Sequence, residues 1–165
     1  MANLTITHTE DITLNGQQFG GTTIKSFSGI NEISKRIVTI TVTECVIGTF
    51  SAAAASAGHY IAADVRYIRF TNLDTANFIT LTFRNQDNDE AAIKLDAGQS
   101  FIWNGDNSGG LVDVLNGDNV NGMTAVFNAT QDADAASDTA FGSLTNIQAD
   151  ANTGSCDLEV LIASV

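Results

Sequence analysis

The chain has 165 residues, 44% of them apolar and 16% charged, and carries a net charge of -12. A single domain of this length buries about 70% of its unfolded surface without needing a disulfide or a metal as a staple, and the composition is too apolar and too weakly charged for a disordered chain. Nothing approaches the ~18 consecutive apolar residues of a membrane span, and the negative field disfavours nucleic acid and anionic lipid.

In chain order, MANLTITHTED at the amino terminus offers neither a basic n-region nor an apolar h-region, so no secretory signal is read and a soluble product is expected. The dominant signal from there on is alternation of apolar and polar residues with period 2, the pattern of strands with one buried face. It runs through LTITHT (Leu4, Ile6), KRIVTITVT (Val38, Ile40, Val42), RYIRFT (Ile68, Phe70) and NFITLTFRN (Ile79, Leu81, Phe83). It continues in AAIKLDAG (Ile93, Leu95), in LVDVL at 111–115 and in CDLEVLIASV (Leu158, Val160, Ile162). Threonine and other β-branched residues fill the alternate positions, which suits a pleated surface, and no segment offers a helical stripe. Asn-Gly, which supplies the positive φ of tight hairpins, occurs at Asn15-Gly16, Asn104-Gly105, Asn116-Gly117 and Asn121-Gly122. These features predict an all-β chain, an antiparallel β-sandwich or jelly-roll-like single domain over 1–165.

Two segments break the alternation. SAAAASAGHYIAAD, residues 51–64, is built of small residues and reads as a loop, a short helix or a segment lying close against a neighbour. Residues 128–155 carry only Phe141, Leu144 and Ile147 as sizeable apolar side chains, and are expected to form a long acidic loop or contact arm pinned by those three through one helical turn. The NGDN repeats at 104–107 and 116–119 read as two similar turns, since a solenoid needs at least three units.

The charge is unevenly placed. All seven cations precede residue 95, where nine acids leave a net of -2, whereas Asp96 to Val165 hold ten acids and no Lys or Arg. An acidic region of this kind meets a basic partner or forms a solvated outer surface.

Candidate chemistry is sparse. If Asp132 and Asp134 opened a calcium loop, Ala136, Ser137 and Ser143 would stand where a ligand, the glycine and the bidentate acid belong. A calcium ion could draw ligands from elsewhere, for example from DNDE at Asp87 to Glu90, but clusters of this kind are usually solvated loops. His8 and His59 are the only candidate bases and have no nucleophile elbow beside them; Asp106 near Trp103 is the one acid with an aromatic neighbour. Cys45 and Cys156 leave a bridge open, although two cysteines without a signal peptide read as buried thiols. No cofactor, metal or catalytic residue is assigned and no enzyme activity is expected. The candidate interaction residues are Arg66, Arg69, Arg84 and Trp103: the arginines either snorkel over the core edge or pair with a neighbouring subunit, and Trp103 serves as a core or interface anchor.

Residues 65–105, VRYIRFTNLDTANFITLTFRNQDNDEAAIKLDAGQSFIWNG, resemble a pattern recurrent in virion structural proteins of tailed bacteriophages, particularly marine and cyanobacterial phages. RFTNLD, ITLTFRN and KLDAGQSF carry it, with KRIVTITVTE upstream, over about residues 30–110. The resemblance implies a small β-sandwich of the virion, made in the host cytoplasm, that decorates or cements the capsid. Its implied partners are the major capsid protein or other virion proteins and copies of itself, with no nucleic acid and no membrane. The alternative is a tail, neck or fibre-associated module that recognises host-surface glycan, with Trp103, Tyr60 or Tyr67 stacking on sugar and acidic loops holding calcium.

Overall fold

The computed structural model describes residues 1–54, 56–85, 88, 90–104 and 144–165. LVDVL at 111–115, most of both NGDN turns, Asp106, and Asp132, Asp134 and Asp138 lie outside the described residues.

The described chain is all-β, as its alternation predicts. The first thirty residues hold β1 (Ala2–Glu10), β2 (Thr13–Leu14), β3 (Gln17–Gln18) and β4 (Gly21–Ile30). Then follow β5 (Glu32–Thr41), β6 (Cys45–Ser51), β7 (His59–Ile61), a single 3-10 turn at Ala62–Asp64, β8 (Val65–Asn72) and β9 (Ile79–Asn85). β10 (Glu90–Leu95), β11 (Ser100–Asn104), β12 (Leu144–Ala151) and β13 (Ser155–Ser164) complete the described chain.

Two sheets make the body, one ordered β10-β9-β12-β6-β7 and the other β11-β8-β13-β5. Their ladders are antiparallel except for the short β6/β7 pair. The inward residues of both sheets join in one core: Ile79, Leu81, Phe83, Ile147 and Ala149 from the first, Ile68, Phe70, Leu158, Val160 and Ile162 from the second. Burial of each large side chain stabilises by roughly 1.5–3 kcal/mol, and it is the alternation within each strand that turns these residues, and not their threonine neighbours, toward the partner sheet.

The excursion expected over 128–155 does not hold for its last part, where 144–151 form a strand. Leu144 and Ile147 do not pin a helical turn; they are core residues of β12, an interior strand between β9 and β6. Its other inward positions, Ala149 and Ala151, are fully buried but too small to register as an apolar alternation. Phe141 and residues 128–143 lie outside the described residues. The small-residue segment 51–64 supplies the end of β6, all of β7 and the 3-10 turn, with Tyr60 buried.

The amino-terminal strands do not join either sheet of the body. β1 and β4 pair with each other as a two-stranded ribbon, capped by the β2/β3 hairpin, whose turn has Asn15 at φ 51° and Gly16 at φ 76°. At the neck between ribbon and tip only glycine fits at position 20, since a Cβ there would lie 2.0 Å from the Glu10 carbonyl oxygen. The base of the ribbon is anchored: Phe27 and Ile30 are buried with Tyr67 and Ala163, and Leu4, Ile6, Leu161 and Val165 pack around them. β4 then passes through Asn31, whose amide donates to the Ser164 carbonyl at 3.0 Å, directly into β5.

Candidate interaction surfaces

Beyond that base the ribbon is open to solvent. Every residue of 7–26 except Gly20 is exposed, and Asn15 is nine residue steps from Ile6, so about 30 Å of ribbon stands free at the usual strand rise. Its middle is polar apart from Ile24, which faces Thr7 and is 65% exposed: Thr5 faces Ser26, Thr9 faces Thr22, and His8 lies 3.5 Å from Glu10. Its tip is not. The Phe19 amide donates to the Ile12 carbonyl, and Leu14 pairs with Gln17. Alternation therefore places Ile12, Leu14 and Phe19 on one face, where they are 53%, 58% and 60% exposed. An isolated two-stranded ribbon is marginal in water, and an apolar face at its far end has no core to join.

A second exposed surface is the outer face of the sheet that contains β5. Ile33 and Ile37 point outward on this edge strand and are 58% and 61% exposed. Lys35 lies between them and reaches Glu159 at 3.0 Å, and Arg69 donates to the same carboxylate. The Lys35 and Arg69 partners hold the Glu159 carboxyl below its ordinary range, against the opposing effect of partial desolvation. Asp157, two residues along the same face, accepts from the Thr39 hydroxyl at 2.8 Å, so two cations and two carboxylates stand together on this face.

The four residues singled out from the sequence are not brought together. Arg66 is 7% exposed and donates to the Ala63 carbonyl at 2.6 Å, which closes the 3-10 turn. Arg69 faces outward on β8, whereas Arg84 lies on the outer face of the opposite sheet, where its Nε donates to Glu90 at 2.6 Å. Each arginine thus has a partner within its own chain. Trp103 points into the core at 8% exposure, edge-on to Phe83 and Phe101, with its indole N–H unpartnered. Tyr60 and Tyr67 are buried as well, so none of the three aromatics proposed for sugar stacking presents a ring face to solvent. The hydrophobic signal that marks an aromatic as a platform marks a core residue equally well, and burial separates the two.

The RFTNLD segment has a structural role. Asn72, fully buried, donates to the Asn77 and Leu95 carbonyls at 2.8 and 3.1 Å and accepts from the Asp74 amide at 3.0 Å. Asp74 in turn accepts from the Asn77 and Ala76 amides at 2.7 Å each, which lowers its pKa. This carboxylate is engaged in holding a turn.

Cys45 and Cys156 are free thiols, and burial is the first cause that raises both pKa values, aided by nearby carboxylates. Such thiols are poor nucleophiles at neutral pH. Among the described residues no three His, Cys, Asp or Glu side chains gather in a way that could hold a metal ion, and no helix is long and apolar enough to cross a membrane.

What the sequence reading missed is the arm. Its strands carry threonine on both faces, and the apolar residues of the tip look like those of any short hairpin. No family model, curated protein or solved structure matches the chain.

Proposed function

We propose that the protein is a non-enzymatic structural component of a tailed-phage virion, a capsid decoration or cement protein whose body sits on major capsid subunits and whose arm spans to a neighbour. The observation that carries this reading is the ribbon arm. About 30 Å of it stands clear of the body and ends in an apolar face formed by Ile12, Leu14 and Phe19. A long reach with a sticky end suits a protein that links units in a lattice, and has no use in chemistry confined to one chain. The resemblance of residues 65–105 to phage virion proteins points the same way.

The test is compositional and structural. Intact particles analysed by mass spectrometry and electron microscopy should contain the chain at a high copy number related by capsid symmetry. Its absence from purified particles, or a location in the tail alone, would sink the capsid assignment.

A further inference from the structure

We infer that the arm of one copy docks on the β5 edge and outer face of a second copy of this chain. This inference rests on the reading of the arm as an interaction element, and it names the arm's partner.

Both halves of the contact are present in one chain and cannot meet within it. The tip presents Ile12, Leu14 and Phe19 on one face, with Glu10 and Asp11 at its neck. The outer face at β5 presents Ile33 and Ile37, with Lys35 between them. The base of the arm is seated on Tyr67 and Ala163, and β4 runs straight into β5. The arm therefore leaves from the start of its own β5, and its tip stands about 30 Å of extended ribbon away. A neighbouring copy supplies the surface that its own body cannot.

Charge makes the pairing specific. Between the two isoleucines stands Lys35, a cation whose side chain stays 56% exposed while it shares the Glu159 carboxylate with Arg69. Glu10 and Asp11 at the neck of an incoming tip complement it. Two copies of a chain with net charge -12 repel body to body. The first thirty-one residues hold only Glu10, Asp11 and Lys25 as charged side chains, so the arm approaches with least repulsion.

Backbone geometry adds a second match. Among the described residues β5 is a ten-residue edge strand that pairs only with β13, and β1 and β4, of nine and ten residues, pair only with each other. Proteins guard such edges with charge or with short strands. The six-residue edge strand β10 carries outward Glu90 and Lys94, and the edge strand β7 has only three residues. β5 is longer than either and, besides Lys35, shows two outward isoleucines on the flank of its edge. A ribbon added there extends the sheet by strand addition. The contact is heterologous, tip to face, and so builds closed rings or open chains of copies.

The experiment measures the mass of the purified full chain by sedimentation and light scattering over a wide concentration range. The unaltered protein should form multiples of 17.3 kDa. Paired substitutions on the tip, Leu14→Glu with Phe19→Glu, should return it to 17.3 kDa, and so should Ile33→Glu with Ile37→Glu on the face. Mixing the two variants should restore a two-copy species, because each retains the half that the other has lost. All four residues are more than half exposed, so circular dichroism should report an unchanged fold; Leu14→Ser and Ile33→Ser serve in place of any variant that unfolds. A monomeric unaltered protein at every concentration would overturn the inference, as would association that survives the tip substitutions. A monomer that is still found on particles would leave the virion reading standing and remove only the self-docking arm.

Discussion

The Tyr60 hydroxyl lies 3.0 Å from the Ser34 hydroxyl and donates to it, which joins β7, the edge of one sheet, to β5, the edge of the other. Beside it the Arg36 guanidinium donates to the Ile47 carbonyl on β6. The two contacts close the same open side of the sandwich. Tyr60→Phe keeps the ring against Phe50, 5.7 Å between centroids, and removes only the hydroxyl bond. It should lower unfolding free energy by about 1 kcal/mol, the usual net worth of such a bond, as read from urea midpoints. An unchanged midpoint would mean that the seam is held by packing alone.

Residue 147 discriminates between a loop and a core strand. Ile147 is fully buried in β12, beside Phe83 on β9. Ile147→Ala should therefore cost about 2–5 kcal/mol. Val46→Ala, on the exposed face of the adjoining β6, should change stability by under about 0.5 kcal/mol. Equal, small effects at both positions would place 144–151 back in a loop.

Acid sensitivity should trace in part to Glu159. Its pKa is lowered in the folded protein, chiefly by Lys35 and then by Arg69. The unfolded chain thus binds the proton more readily. The stability this carboxylate contributes is complete above the ordinary glutamate range and is lost as pH falls through the lowered folded value. Asp74, also lowered, acts in the same direction. Glu159→Gln should flatten the acid limb of a plot of urea midpoint against pH and leave its slope near neutrality unaltered. An acid limb identical to that of the parent would show that the ion pairs add nothing.

The neck of the arm can be perturbed without touching the body. In Gly20→Ala the new methyl would collide with the Glu10 carbonyl, so the junction of ribbon and tip must open. Amide exchange at Thr9 and Thr22 should accelerate, while the global unfolding free energy moves by under about 0.5 kcal/mol. A large loss of global stability would show that the arm is integral to the body and not an appendage.

Much of the fold was legible because the signal is local. Ile79, Leu81 and Phe83 alternate with Thr80, Thr82 and Arg84, and any sheet that buries one face must take the first set inward. The strands that escaped reading did so for reasons of chemistry. β12 buries Ala149 and Ala151, and β4 has Ile24 as its one large apolar residue before Phe27. The candidate residues were identified by type, and type does not report partners. Arg66 and Trp103 became buried elements of the body, whereas Leu14, Phe19, Ile33 and Ile37, unremarkable in the sequence, became its exposed apolar surfaces.

The sequence by itself determined the all-β class and the Asn15-Gly16 hairpin, because period-2 alternation and positive φ are properties of adjacent residues. It also determined the acidic balance that makes bodies repel. Only the tertiary structure decided which strands are neighbours, that 144–151 lies inside a sheet, and that the first thirty residues leave the body as an arm. Those outcomes depend on pairings between residues far apart in the chain, such as Ile147 with Phe83 and Phe27 with Tyr67, which no local pattern encodes.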